Sequence, residues 1–493
     1  MRYMKTIKYI AFIFCAGVMT SSLFSCSDFL ETNPSESVSD NAVFVTTQGA
    51  QAALNGCYSH LRIRDGGGAG REDDRGISAM QMTFDVCGED MVVWGGWYGY
   101  DASFWGHTRG DIFKTSLLWN FHYRLINNLN AIINQIDGTV GPAADKQYIK
   151  GQALALRGWA YFGLVRLFQH TYIIAKDMPG VPIYLETSSD KTEGQPRAKV
   201  VDVYSRVTED LEAAATLLTG FTRKNITEVN KQVAQSFLAE VYLTMNVWDK
   251  AAENARAAQV GLTLMDSTRY NAGFSKSSDA EWIWGMDQTE TQNMGDYSPY
   301  AMWANWSRAC FSFACFFVVD DFVNLFDTAD VRHQFYRPWP ADHPYLYSSN
   351  KFRDKDDCRG SIVFIRAATM LLTEAEALAR SNDEAGAKAL LWKLQDARKA
   401  VRTTSTGAQL ITDILIERRK ELYGEGYAWY DLIRNQLPLV RSSHHRDVVN
   451  IPARSWRWVY QIPIGEITNN KALTAGNLPA GDQNPFDGIY TPQ

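Results

Sequence analysis

Five large rings, Trp94, Trp97, Tyr98, Tyr100 and Trp105, fall within twelve residues on a backbone broken by Gly95, Gly96 and Gly99. A second group, Tyr297, Tyr300, Trp303 and Trp306, crowds a later insertion. Helical cores rarely need so many rings on glycine-rich chain. A flat indole or phenol suits the apolar C–H face of a sugar ring, whose rim hydroxyls then require polar partners. Arg71, Arg75 and Asp101 flank the rings and could supply them. Burying about 60 Å2 of apolar surface per sugar contributes about 1.5 kcal/mol. Three such contacts total roughly 4.5 kcal/mol, only about millimolar binding, so useful capture needs several sugars at once. Packing of the loops on helices would use the same rings, and for each ring the two roles compete.

A different chemistry is written at the start of the chain. Arg2, Lys5 and Lys8 precede an apolar run from Ile7 to Met19 that ends in Leu23-Phe24-Ser25-Cys26. The run is shorter than the roughly 20 residues that span a bilayer, so it reads as a cleavable export segment. Small or apolar residues before a cysteine match a lipobox, with Cys26 receiving diacylglycerol after cleavage. Several acyl chains at about 0.8 kcal/mol per buried methylene hold a protein firmly on a membrane. The expected division is residues 1–25 signal, 26–40 tether and 41–493 body.

Other motifs yield less. Glu89-Asp90 and Asp320-Asp321 are acidic pairs, but neighbours in sequence point apart, and a glycosidase needs two carboxylates facing across a cleft. Glu417-Arg418-Arg419 and Asp431-Leu432-Ile433-Arg434 read as bidentate ion pairs that fix how consecutive helices meet. Gly66-Gly67-Gly68-Ala69-Gly70 neither follows a strand pattern nor opens a helix, so it lacks the context of a phosphate loop. His444-His445 sits among charged residues and is expected to be solvated. Asp354-x-Asp356-Asp357 before Gly360 offers oxygen ligands for a structural calcium ion, without the later glutamate of an EF-hand. No other cofactor is expected. Beyond Cys15 and Cys26 the five cysteines are odd in number, so disulfides do not frame the fold and one thiol at least stays unpaired.

The elements that must position these residues are mostly helices. Tyr148–Gln169 and Val203–Leu218 carry apolar residues at helical spacing. Lys231–Met245 and Trp248–Val260 form the clearest pair, with Ala234, Leu238, Ala239 and Tyr242 set against Ala251, Ala255 and Ala258 across a two-residue turn. Small residues at the crossing let antiparallel helices approach as in tetratricopeptide repeats. Met370–Ala379 and Ala385–Ala397 repeat the pattern around Ser381-Asn382-Asp383. Loss of residues 1–25 removes Arg2, Lys5 and Lys8 and takes the formal charge from −6 to −9, which leaves no basic footprint for nucleic acid.

Further residues carry a resemblance. They are Phe29-Leu30 and Asn33-Pro34 after the lipobox, Ala155-Leu156-Arg157-Gly158-Trp159-Ala160-Tyr161-Phe162, and Pro179-Gly180-Val181-Pro182-Ile183. The later half adds Asp320-Asp321-Phe322-Val323-Asn324-Leu325-Phe326-Asp327, Arg366, and Leu371-Leu372-Thr373-Glu374-Ala375-Glu376-Ala377. Glu417-Arg418-Arg419-Lys420-Glu421-Leu422, Gly424-Glu425-Gly426, Asp431-Leu432-Ile433-Arg434 and Ile462-Pro463-Ile464-Gly465-Glu466-Ile467 complete the set. In order and spacing the chain resembles the SusD/RagB family of Bacteroidota outer-membrane lipoproteins. The resemblance implies a mainly α fold, with four degenerate tetratricopeptide-like helix pairs supporting an irregular, loop-rich ligand-binding half. Its parts would span about 41–225 and about 270–493. It implies a non-enzymatic, surface-exposed protein that captures oligosaccharide for a SusC-like TonB-dependent β-barrel transporter. Peptide is the alternative ligand, and a glycan-cleaving lipoprotein the alternative of another class. The family's aromatic arc carries over to Trp94, Trp97, Trp303 and Trp306, with Tyr98 and Tyr297 beside them.

Overall fold

The computed structural model describes residues 43–62, 71–104, 109–189, 191–290, 294–303, 315–337, 344–353 and 358–473. Four antiparallel helix pairs stack in chain order: α1 (Thr47–His60) with α2 (Phe113–Gln135), α3 (Ala143–Phe168) with α4 (Val200–Leu217), α5 (Lys231–Thr244) with α6 (Trp248–Ala258), and α7 (Ala367–Arg380) with α8 (Glu384–Ala397). The second helix of each pair packs on the first helix of the next, the arrangement of a tetratricopeptide array. Two further helices, α9 (Gly407–Leu422) and α10 (Ala428–Arg434), follow.

Local sequence explains where these helices start and turn. Asn230 caps α5 by accepting from the Val233 N–H at 3.1 Å, and Asp383 caps α8 through the Gly386 N–H at 2.9 Å. The turns inside the third and fourth pairs both pass through a left-handed asparagine, Asn246 (φ 61°) and Asn382 (φ 68°). Asparagine tolerates that conformation better than other residues with a Cβ. Ala234, Ala239, Ala251, Ala255 and Ala258 are fully buried, as the small-residue pattern required. Gly158 does the same between α3 and α4: a Cβ there would sit 2.9 Å from Leu211 Cγ. One residue earlier Arg157 forks the buried Asp210 at 2.7 and 2.8 Å, locking the pair.

The segments between the pairs are not merely loops. Strands β1 (Met91–Trp94), β2 (Trp282–Met286), β3 (Cys315–Val319), β4 (Phe335–Tyr336), β5 (Leu346–Ser349) and β6 (Ile362–Arg366) build two small sheets. One is antiparallel in the order β1-β3-β5-β4, with Trp94 opposite Cys315; the other pairs β2 with β6. A second core of Met91, Val93, Tyr98, Trp303, Phe316, Phe322 and Tyr423 lies against the first sheet.

A buried ionic network joins the two halves. Arg366, at the end of β6, reaches Glu281 and Glu421 at 2.6 Å and Glu425 at 2.7 Å. Arg398 adds Glu421 at 2.8 Å, and Arg332 adds Glu421 at 3.1 Å, Asp330 at 2.7 Å and Glu417. Lys351 binds Glu425 at 2.6 Å, and Lys420 binds Asp330 at 3.3 Å. Five cations and five carboxylates therefore balance, and no side chain among them is more than 7% exposed. Although burial pushes the Glu421 carboxyl up, Arg398, Arg366 and Arg332 hold it well below the usual range. The remaining charges of the same helical stretch face elsewhere, Arg418 to Asp431 at 2.7 Å and Arg419 to Glu89 at 2.9 Å and to Asp90. The expected helix-to-helix role of Glu417-Arg418-Arg419 thus extends to the sheet half.

The described thiols Cys57, Cys87 and Cys358 are not in disulfides, and Cys315 is disulfide-bonded. Cys26 and the export segment, Gly66–Gly70, and Asp354, Asp356 and Asp357 lie outside the described residues. No helix among the described residues is long and apolar enough to cross a membrane. The expectation of a solvated His444-His445 is corrected. His445 is buried, with Nε2 3.1 Å from the Met91 carbonyl, and burial lowers its pKa to about 3. His444 stacks on Tyr345 at 3.8 Å with Nδ1 2.8 Å from Asp320. Arg441, one of the charged residues of that segment, is itself buried and donates to the carbonyls of Val86, Gly88 and Ala102.

Candidate functional site

Three rings at the end of β1 stay open to solvent: Trp94 (43% exposed), Trp97 (40%) and Tyr100 (45%). The chain turns between the two indoles through Gly95 (φ 80°) and Gly96 (φ 68°), left-handed conformations that suit glycine. Trp97 and Tyr100 sit 5.8 Å apart, centroid to centroid. A guanidinium lies over each indole. The Arg71 guanidinium lies 4.0 Å from the Trp97 centroid and 4.1 Å from that of Phe113, and Arg446 lies 4.7 Å from Trp94.

Buried charges hold this surface in place. Arg71 forks Asp73 at 2.9 and 2.7 Å, and Lys114 meets Asp73 at 2.9 Å and Asp101 at 3.2 Å. Burial pushes the Asp73 carboxyl up, but Lys114 and Arg71 together bring it below the ordinary value. Burial dominates at Asp101, which is raised to about 6 despite Lys114. The Trp97 backbone N–H donates to the Glu72 carboxylate. Asp101 therefore positions the loop from beneath; at 1% exposure it offers nothing to a ligand.

The rings expected from sequence thus divide. Tyr98 is buried, donates its hydroxyl to the Glu72 carbonyl at 3.2 Å and packs edge-on against Phe316. Trp303, 1% exposed, is clasped by Phe316, Phe352 and Tyr423 at 5.3 to 5.9 Å, so it packs the second core instead of extending the open surface. Tyr300 is buried in the same way. Tyr297 is half-buried with the Arg75 guanidinium 4.2 Å from its centroid, which does bring the two aromatic segments together. Trp105 and Trp306 lie outside the described residues. Sequence reasoning missed Arg446, which lies about 350 positions from Trp94 and reaches it because its Nη1 donates to the Val93 carbonyl at 2.7 Å.

The acidic pairs are engaged structurally: Glu89 and Asp90 both face Arg419. Asp320, Asp321 and His444 bring one ligand atom each within 4.8 Å of one another, a grouping compatible with a cation. Open indoles with a guanidinium over one face can stack on a ligand with flat apolar faces and hydroxylated edges.

Comparisons with known proteins give the scaffold its family. Residues 64–243 match the sequence model described as starch-binding associating with outer membrane, and residues 343–485 match that of the SusD family. SusD-like protein P38 of Formosa agariphila is 24% identical across 87% of this chain and 92% of its own length. A SusD-like carbohydrate binding protein from Bacteroides vulgatus shares 28% identity and superposes with a TM-score of 0.80, covering 88% of this chain and 98% of that one. A laminarin-binding SusD-like protein, 18% identical, shares the fold with a TM-score of 0.66 over 86% of this chain and 98% of its own. The chain belongs to the SusD/RagB family, and its mainly helical architecture is that of the family's solved structures.

Proposed function

We propose that the protein is a cell-surface lipoprotein of the outer membrane that captures an oligosaccharide without cleaving it and delivers it to a SusC-like TonB-dependent transporter. The observation that carries the ligand class is the open surface of Trp94, Trp97 and Tyr100, whose rings are 40% to 45% exposed, with a guanidinium over each indole. Rings so exposed and so immobilised bind a flat apolar face with little further ordering cost. The carbohydrate-binding relative from Bacteroides vulgatus supports the same class. The family's description supports the membrane address, and the sequence ending at Cys26 supports a lipid anchor. A body without a described spanning helix needs a membrane-spanning partner to move its ligand across a bilayer.

The test is calorimetric titration of a glycan panel into the unmodified protein and Trp97→Ala, with chromatography of the recovered ligand. Binding that falls in the variant at unchanged melting temperature supports the reading. Binding of peptide but no glycan would replace the ligand class, and shortened sugars in the recovered ligand would overturn capture without cleavage.

A further inference from the structure

The helix that begins beneath Trp97 carries a second polar surface along its length. The first residue of α2, Phe113, lies against Arg71. At 3.6 residues per turn, Asn120, Arg124, Asn127 and Asn128 fall within about 60° of Phe113, on the same face and about 10 to 22 Å further along the axis. They line a cleft of about 540 Å3 with Tyr123, Tyr184 and Glu466. That volume lies in the range of small-molecule sites.

The cleft is firmly walled. The segment carrying Tyr184 and Ser188 is fixed by Asn130, which donates to the carbonyls of Tyr184 and Glu186 at 3.0 and 3.1 Å, and by Asn127, which accepts from the Ser188 N–H at 2.6 Å. Asn130 is in turn held by the buried Arg157 at 2.9 Å. Tyr123 donates its hydroxyl to the Pro182 carbonyl at 2.8 Å, so its ring stands edge-on to Tyr184 at 5.9 Å. The short helix Ile464–Asn469 closes one side, tied to the start of α2 by the Ile464 N–H on the Gly110 carbonyl at 2.9 Å.

We propose that this cleft is a second carbohydrate subsite, which holds the distal rings of a neutral oligosaccharide whose first rings stack on Trp94 and Trp97. The assignment rests on the glycan reading above. Its chemistry is read from the lining: each carboxamide both donates and accepts, as a sugar hydroxyl does, and Tyr123 and Tyr184 supply apolar ring surface. Arg124 and Glu466 contribute opposite charges, so the lining favours no net ligand charge. Asn120 and Asn128 are exposed, and among the described residues neither carboxamide is engaged by a protein partner. A ligand long enough to run along α2 meets both surfaces, and the second contact is intramolecular.

The experiment compares the unmodified protein, Trp97→Ala and the double variant Asn120→Ala/Asn128→Ala, by calorimetry with neutral gluco- and manno-oligosaccharides from disaccharide to octasaccharide. Affinity of the unmodified protein rises with ligand length. The double variant loses that rise, roughly tenfold at the octasaccharide, while short ligands bind it as before. Trp97→Ala weakens ligands of every length. Calorimetric melting should be unchanged in the double variant, because both asparagines are exposed. Full affinity of the double variant for the octasaccharide overturns the cleft and leaves the aromatic surface standing, as does affinity independent of length in the unmodified protein. Absence of binding to every member of the panel overturns the glycan reading, and the cleft with it.

Discussion

Replacing Glu421 by Gln removes one charge from the middle of the buried network and leaves the shape of the side chain. Its two oxygens receive Arg366 at 2.6 Å, Arg398 at 2.8 Å and Arg332 at 3.1 Å, all from guanidinium groups no more than 1% exposed. The five carboxylates that balanced five cations become four, and a carboxamide N–H is turned towards arginine donors. Breaking a buried pair in this way typically costs about 3–5 kcal/mol, because the remaining charge stays desolvated. At about 2.1 cal/mol/K per residue, unfolding some 450 residues carries an entropy near 0.9 kcal/mol/K, so the melting temperature should fall by roughly 3–5 °C. Differential scanning calorimetry at pH 7 makes the measurement, and Asp396→Asn, which weakens the exposed Asp396–Arg402 pair, is the control expected to leave melting unmoved. A Glu421→Gln protein that melts with the unmodified one would refute the argument that this network is needed pair by pair.

Glu376 gives a pH test: burial opposes its ionisation, but Arg434, at 2.6 Å, and Arg380 lower its pKa from 4.5 to about 2. A depressed carboxylate stabilises the fold above its unfolded pKa and loses that contribution as pH falls, so the deficit of Glu376→Gln should be full at pH 7 and close between about pH 4.5 and 2 in a melting series. A deficit constant over that window would contradict the assignment. Trp97→Ala should lower glycan affinity about tenfold with little change in melting, and Trp303→Ala should cost about 3–5 kcal/mol of stability, read by calorimetry of both. Equal losses of stability in the two would place Trp97 in the core. Cys26→Ala should release the protein from membrane fractions with its fold intact, and retention of that variant in high salt would count against lipid anchoring.

The helix pairs were legible because their determinants are local. Alanines at helical spacing on Lys231–Thr244 and Trp248–Ala258, with a turn at Asn246, specify a close antiparallel crossing without reference to the rest of the chain. The ring clusters were legible as clusters and not as surfaces. Trp97 and Trp303 both stand in ring-dense segments, and what separates 40% exposure from 1% is the clasp of Phe316 together with Phe352 and Tyr423, the last two far away in sequence. The buried ion pairs were half visible. Arg418 and Asp431 lie on consecutive helices and could be paired on sequence grounds, whereas Arg366 finds Glu281 across 85 residues and Arg398 finds it across 117. The cleft along α2 left a faint trace, an asparagine-rich helix face, but its opposite wall comes from residues 182–188 and 464–469.

The ionic network also sets the order in which the chain can mature. Its members are drawn from Glu281, Asp330, Arg332, Lys351, Arg366, Arg398 and the stretch Glu417–Glu425, so its neutrality is complete only when the last of these is present. Dehydrating a subset strands charge, and a chain emerging N-terminus first therefore has no inexpensive way to close the sheet half early. Every member of the network lies at residue 281 or later, so the first three helix pairs, which end at Ala258, can form while the remainder is still being delivered. Final consolidation is then a late, concerted event, and the rigid seat of the open aromatic surface is completed only after nearly the whole polypeptide has emerged.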